Sequence, residues 1–522
     1  MQTIPVTTSD FAQIRCDGLL YVDKTAYLHK MISDKGQKYL FISRPRRFGK
    51  SLMLSTLKAI FQGRRDLFEG LDISRTGYDW QVHPVIHLNM GFCASENYGQ
   101  FAQNLPLEIE RGLAETGYEY DWKRTYASNF GRAIDTLYAI GHAPVILIDE
   151  YDDPVAKTLK DIPTAEKVRS DLAAIYSQLK DRSGKIRFLM VTGVSKFTKM
   201  SIFSALSNLQ DISFDDRYAA MLGFTEGELD ANYSEYMAAH AARMKLDAEA
   251  YRTELKRMYN GYRFWKYEGE TVYNPVSINM TMARKEPVFI GNWADTGRPS
   301  MLMNFLKRRD VLAIDPENDI KASARDFDVT DLANIPVKGL LFQTGYLTIE
   351  SFNPLSQLFT LRIPDEEVRM DLALLMASLI GKDSVAWAST IGQCLLGFDW
   401  DEFFRGLKAL YAGVAYGPRE PRVCEYSYGR CLAFLLQGQG IVCQQEVTQA
   451  DGRADMVCTH PCGIYIFELK VDKPAAIAMD QIQKKNYAAP YAADSRPVWI
   501  IGLSFDSATR QLTDAVAECF RS

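Results

Sequence analysis

The stretch Tyr39–Ser55, YLFISRPRRFGKSLMLS, decides the reading of this chain. Tyr39 to Ile42 form a short apolar run suited to a buried strand. A loop holding three arginines and one glycine follows, and Lys50 and Ser51 open a helical pattern. Strand, loop and helix in that order are the layout of a phosphate-binding P-loop. In such a loop the backbone N–H groups and the first helical turn cradle phosphate. Lys50 places a cation on the β- and γ-phosphate oxygens, and the Ser51 hydroxyl can ligate Mg²⁺. Against G-x-x-x-x-G-K-S/T, Ser43 stands where the first glycine is expected, while Gly49, Lys50 and Ser51 match. On this segment alone, a solvated basic loop of Arg44, Arg46, Arg47 and Lys50 competes with the phosphate site.

A second stretch decides between them. In Pro144–Asp152, PVILIDEYD, four consecutive aliphatics make a strand buried on both faces, as in a parallel sheet. The first acids fall at its C-terminal end, where ligands bind in open α/β sheets. There Asp149 can hold Mg²⁺ and Glu150 can polarise the water that attacks a γ-phosphate. Between the two stretches lie a strand, Val85 to Asn89, and amphipathic helices around 99–116 and 123–140. A further strand, Ile186 to Val191, ends at Thr192-Gly193. Thr192 is placed to sense the γ-phosphate or orient the lytic water, with a plain glycine turn as the competing reading.

The chain has 522 residues, too many for one core, so about three domains are expected. A net charge of −5 does not mark a nucleic-acid binder, although a local basic channel fits within such a total. The N-terminal MQTIPVTTSDFAQIR lacks the cationic and apolar regions of a signal peptide. No apolar run reaches the ~20 residues needed to cross a bilayer, so the expectation is a cytoplasmic protein with no membrane partner. Nine cysteines, an odd number on a long chain, point to reduced thiols. Cys458, His460 and Cys462 lack a second ligand pair and read as a hairpin turn rather than a zinc site. Gly18 to Thr25, which precede a helix reaching about Met31, read as packing and a cap.

The runs YVDKT, FISRPRRFGKSL, VILIDEYD and VTGVSKFTKMSIFSALSNLQDIS together resemble the AAA-ATPase-like family of bacterial and archaeal P-loop proteins. The likeness covers roughly residues 5–225. It agrees with the reading of the residues, an ATP site on Gly49, Lys50, Ser51 and Asp149 with Thr192 as a candidate and Glu150 as the catalytic base. In that family R-P-R-R-F-G-K-S is the usual loop, so Ser43 is a family trait. Members often carry a C-terminal nuclease of the PD-(D/E)XK superfamily. The expected architecture is α/β: an AAA-like P-loop domain over 1–225, then a helical lid and winged-helix-like region over 226–415. Within that region LLFQTGYLTIE and LFTLRIP read as a β-hairpin or wing, and Tyr416 to Pro421 as a linker.

The last hundred residues have an order of their own. A helix from about Val423 to Gln437 precedes strands at Val442–Val447, Ala454–Cys458 and Ile464–Val471. A helix from Ala475 to Ala489, a strand Val498–Leu503 and a final helix Ser507–Phe520 complete it. This αβββαβα order is the core of the restriction-endonuclease-like fold, expected over 416–522. Residues two apart on a strand share a face, so Glu468 and Lys470 project together toward Asp455 on the neighbouring strand. Two carboxylates bind Mg²⁺ and leave positions for phosphate and water; Lys470 would orient or help deprotonate that water. GRAD at Gly452–Asp455, FELK at Phe467–Lys470, Glu425, and Gln481 with Tyr487 resemble the family's nuclease module. The resemblance implies that Gln481 approaches the site or substrate and that Glu425 joins the metal shell directly or through water.

These readings describe an ATP-binding and ATP-hydrolysing protein coupled to a Mg²⁺-dependent nuclease, with nucleic acid as partner, DNA ahead of RNA. A homo-oligomer stays open. The rival is an ATP-operated switch or scaffold whose C-terminal domain binds nucleic acid or protein without cleaving it. Glu150 and Lys470 argue against the rival, since a pure switch needs neither a water-activating base nor a hydrolytic lysine.

Overall fold

Val145–Asp149 (β3) is buried at all five positions, which a strand inside a helix-covered parallel sheet requires. The computed structural model describes residues 1–196, 208–265, 269–292, 302, 320–328, 332, 335–380, 384–413, 425–449, 452–509 and 511–521. The expected linker at 416–421 lies outside them. Two compact units divide the chain, a first that ends at Asp365 and a second whose described residues begin at Glu366.

In the first unit, helices α1 (Phe11–Cys16) and α2 (Thr25–Ser33) precede β1 (Tyr39–Ser43) and α3 (Lys50–Phe61). Then come β2 (Val85–Asn89), α4 (Tyr98–Ala114), α5 (Tyr126–Ala139), β3, α6 (Asp153–Thr158), α7 (Ile162–Asp181), β4 (Phe188–Gly193) and β5 (Gln210–Asp211). The strands form one parallel sheet in the order β2-β3-β4-β1-β5. Ser43 pairs with Gly193, and Asn89 with Asp149, so the residues expected at the phosphate site gather at the carboxyl ends of adjacent strands.

The YVDKT run is structural. Asp23 accepts from the Thr25 N–H at 2.8 Å and the Asp72 N–H at 2.7 Å, and the Thr25 hydroxyl accepts from the Ile73 N–H. Lys24 pairs with Glu228 at 2.6 Å and donates to the Ala220 carbonyl at 2.8 Å. Glu228 also closes the capping box of α8 (Glu226–Met244).

After α8 come α9 (Ala248–Tyr259), the short pair β6 (Asn260–Tyr262) and β7 (Val272–Tyr273), and α10 (Pro275–Met282). Beyond these, β8 (Ile320–Ser323), α11 (Val337–Thr344), β9 (Thr348–Asn353) and β10 (Leu358–Arg362) give a three-stranded antiparallel sheet in the order β8-β10-β9. The expected hairpin is present as β9 and β10, but its first half needs correction. Leu340–Thr344 are helical, and Gly345 at φ +91° stops the helix in a left-handed cap before the strand begins.

In the second unit, α12 (Glu366–Ile380), α13 (Ser384–Leu396) and α14 (Trp400–Gly413) lead to α15 (Glu425–Gln437). There follow β11 (Val442–Gln449), β12 (Gly452–His460), β13 (Gly463–Val471), α16 (Ala475–Lys484), β14 (Val498–Phe505) and β15 (Leu512–Arg521). Their sheet runs β11-β12-β13-β14-β15, with only β13 and β14 parallel. The order is therefore αβββαββ, and the expected final helix Ser507–Phe520 is a strand. Its Ala and Glu residues suit a helix, but a full ladder on β14 prevails, and tertiary pairing overrides weak local propensity. Asp514 on this strand accepts from the Ala475 N–H at 2.9 Å, at the start of α16. His460 and Gly463 close the β12–β13 hairpin, as expected of that turn.

Two candidate active sites

At the first site the loop between β1 and α3 is shaped by backbone that few residues adopt. Gly49 stands at φ +82° with open space where a Cβ would lie, and Arg47 stands at φ +72°. Gly49 ends where α3 begins, so the first-turn N–H groups of a twelve-residue helix face the loop. Lys50 is buried, and its Nζ donates to the carbonyls of Arg44 at 2.8 Å and Pro45 at 2.9 Å. Burial pushes its pKa down to about 8 against the opposing pull of Asp149, Asp152 and Glu150. Ser51 is the next residue of the same turn.

On β3, Asp149 is buried, accepts from the Thr192 hydroxyl at 2.6 Å and from the Glu150 N–H at 3.0 Å. Thr192 thus orients the carboxylate of Asp149. Glu150 adopts φ +50°, and burial followed by the charge of Asp149 raises its pKa. The Glu150 carboxylate lies against Gly91, where an added Cβ would stand 2.0 Å from Oε2.

The sequence reading missed Gly91 and also Asp152. The Asp152 carboxylate is buried and accepts from the Ser195 N–H at 2.7 Å and the Val194 N–H at 3.2 Å, tying β3 to the end of β4. The acid-rich run after β3 was the signal, but only the fold separates its four carboxylates into different environments.

Arg44 and Arg46 part company. Arg44 is buried, donates from Nη1 to the Ser43 carbonyl at 3.0 Å and the Ser213 carbonyl at 2.7 Å, and lies 4.1 Å over the Phe264 ring. Phe48 packs edge-on against Tyr262 at 4.7 Å and Phe264 at 5.2 Å. The loop is thereby clamped to β6 and the residues after it. Arg46 pairs with Asp153 at 3.0 Å. Ser43, at the missing glycine, is held by Ser213, whose hydroxyl accepts from the Ser43 N–H at 2.8 Å. Beside Gly49 opens a mainly apolar cavity of about 140 Å³, lined among others by Val22, Phe48, Leu52, Met53, Leu222 and Pro275.

At the second site, Met456 lies opposite Phe467 on the antiparallel strands β12 and β13, so Asp455 and Glu468 occupy the next positions along them. Asp455 accepts from the Leu469 N–H at 2.7 Å. The Lys470 ammonium donates to Glu468 Oε1 at 2.9 Å and the Leu469 carbonyl at 2.8 Å, and stands 3.8 Å from Glu425 at the start of α15. Burial raises Asp455 to about 6, against the Leu469 N–H and Lys470. Burial and the charge of Asp455 raise Glu468 to about 7. Burial lowers Lys470, but its bond to Glu468 and the surrounding carboxylates raise it more.

Glu468 Oε2 is buried, with no hydrogen-bond partner among the described residues. A buried carboxylate oxygen without a donor, next to a second carboxylate, is a hard-oxygen donor set that fits Mg²⁺. Among the described residues no three Asp, Glu, His or Cys side chains already surround one point. The structure therefore joins Asp455, Glu468 and Lys470, with Glu425 across the lysine. Gln481 is placed otherwise: its amide donates to the Tyr487 hydroxyl at 3.4 Å, and no described hydrogen bond links it to the carboxylates. Among the described residues no helix is long and apolar enough to cross a membrane.

Residues 5–203 match the family model described as predicted AAA-ATPase, and residues 425–515 match that of the PD-(D/E)XK nuclease superfamily. The chain is also similar to an uncharacterized protein in the vnfD 5′ region of Azotobacter chroococcum mcd 1. The two are 33% identical over 533 residues, which span 99% of this chain and 98% of that one.

Proposed function

The chain belongs to the family that joins a predicted AAA-ATPase to a C-terminal PD-(D/E)XK nuclease domain, and from that premise we propose an ATP hydrolase coupled to a Mg²⁺-dependent nuclease. The observation that carries the nuclease half is the buried pair Glu468 and Lys470 beside the half-buried Asp455, with one Glu468 oxygen unpartnered. Asp455 and Glu468 would hold Mg²⁺, which when bound polarises the scissile phosphate and lowers the pKa of water. Lys470 orients the attacking water and faces the charge that grows on the phosphate. Glu425 holds the lysine in place from α15.

In the ATPase half, Lys50 exchanges its loop carbonyls for phosphate oxygens, and the apolar cavity beside Gly49 takes the base. Asp149 and Ser51 would hold the Mg²⁺ that accompanies ATP, and Glu150 accepts a proton from the lytic water. The clamp of Phe48 and Arg44 on Tyr262 and Phe264 supports coupling, because a change in the phosphate loop must move β6. ATP turnover would in this way gate access of nucleic acid, DNA ahead of RNA, to the C-terminal site.

Plasmid nicking with Mg²⁺, with and without ATP, tests the reading on wild type and Asp455→Ala. Nicking by the wild type, lost in the variant and altered by ATP, is expected. Absence of Mg²⁺-dependent nicking under every condition would overturn the nuclease half in favour of a binding switch.

Gly91→Ala tests the base. The new methyl would collide with Glu150, and a displacement of about 1 Å costs on the order of 100-fold in rate. ATP turnover is expected to fall by roughly that factor with nucleotide binding retained. Unchanged turnover in a steady-state assay would remove Glu150 from the chemistry.

A further inference from the structure

Opposite the phosphate loop, at the amino ends of β1 and β4, the first unit carries an open cleft of about 580 Å³. Lys35 and Lys38 reach it from the turn between α2 and β1, His29 from α2, Arg187 from the residue before β4, and Tyr78 and Asp79 from the loop that leads to β2. The Leu189 N–H bonds to the Lys38 carbonyl at 2.8 Å, which fixes the two strand ends side by side. Five strand residues at ~3.3 Å each put about 16 Å between the cleft and the phosphate loop, so the cleft is no part of the ATP site.

Several cations of the unit are paired: Arg182 and Lys185 share Asp135 at 2.9 and 2.5 Å, and Arg217 takes Asp215 at 2.6 Å. Lys35, Lys38 and Arg187 have no ion-pair partner among the described residues. The one carboxylate on the cleft wall, Asp79, accepts from its own loop at the Gln81 N–H. Three unpaired cations around an open cleft, in a chain of net charge −5, form a local anion-attracting surface. Tyr78 adds an aromatic ring, set edge-on to His29 at 6.1 Å.

We propose that this cleft binds single-stranded nucleic acid, with Lys35, Lys38 and Arg187 on its phosphates and Tyr78 against a base. Cations that track a backbone beside an aromatic platform are the recognition chemistry of single strands. The proposal rests on the nuclease reading and adds to it a contact on the ATPase domain, away from the phosphate loop.

The test is fluorescence anisotropy of a fluorescein-labelled oligodeoxythymidylate of about 16 nucleotides. The full-length chain is used in the Asp455→Ala background, with and without Lys35→Glu and Lys38→Glu. At least about tenfold weaker binding is expected, with a log–log salt slope shallower by about 1.4 for two lost phosphate contacts. Lys35→Gln with Lys38→Gln serves as a milder pair, and equal thermal unfolding midpoints check the fold. Unchanged affinity and slope in both double variants would overturn the cleft. Wild-type plasmid nicking separates the two readings. A chain that nicks but keeps its affinity in the double variants loses only the cleft, and one that neither binds nor nicks loses both.

Discussion

Lys470→Ala is expected to nick plasmid DNA at least about 100-fold more slowly than the wild type while still hydrolysing ATP. Lys470 is the cation that Glu468 and Glu425 share, at 2.9 and 3.8 Å, beside Asp455. On the proposed mechanism its removal takes away the group that would orient water and face the developing phosphate charge. It also leaves the buried Glu468 carboxylate without its counter-ion, which costs about 3–5 kcal/mol when nothing replaces it. Protons or Mg²⁺ would replace it, so the assay uses saturating Mg²⁺, and Lys470→Met checks the loss of side-chain volume. Single-turnover nicking within a few-fold of wild type would remove Lys470 from the mechanism.

The same site sets a pH dependence. Asp455 is raised to about 6 and Glu468 to about 7, so both bind protons more tightly in the folded chain than in the unfolded one. Their contribution to stability therefore falls as pH rises from the ordinary carboxylate range through about 7. Bound Mg²⁺ needs the ionised forms and restores that loss. Nicking should rise from about pH 6 to about 8, and Mg²⁺ should raise the melting temperature more at the higher pH. The Lys470→Ala variant should show a still steeper dependence.

Lys50→Ala is expected to lower ATP turnover by about 100- to 1000-fold and to change the response of nicking to ATP. The Lys50 ammonium is buried on the carbonyls of Arg44 and Pro45, so no bulk-water cation substitutes for it at the loop. Its pKa near 8 gives a second reading of the same contact. Polyphosphate raises that pKa, so ATP binding should take up protons and weaken as pH climbs above about 8. Calorimetry in buffers of different ionisation heat measures the uptake. Wild-type turnover with no proton uptake would show that Lys50 does not touch phosphate, and nicking indifferent to both ATP and Lys50 would end the coupling.

Much of this was legible because the informative residues are contiguous. YLFIS and VILID read as buried strands from composition alone, and they pair into one parallel sheet. GRAD and FELK carry Asp455, Glu468 and Lys470 within two neighbouring strands, where the alternation of side chains fixes the shared face. The last strand was illegible because its ladder partner, β14, competes with a local helical preference. LLFQT was misread for the reverse reason: its apolar run suits a strand, and Gly345 makes it end as a helix. Gly91 and Asp152 carry no motif, and their roles come from neighbours distant in sequence, Glu150 and the end of β4.

By itself the sequence determined the two chemistries on offer, since a phosphate loop, an acid-ended strand and an E-x-K strand are local patterns dictated by backbone geometry. The tertiary structure alone decided what Arg44, Arg46 and Arg187 do. Arg44 lies over the Phe264 ring, Arg46 faces Asp153, and Arg187 reaches a cleft beside Lys35 and Lys38. It also set the carboxylate protonation near neutrality, because burial and opposing charges are properties of packed space rather than of neighbours along the chain.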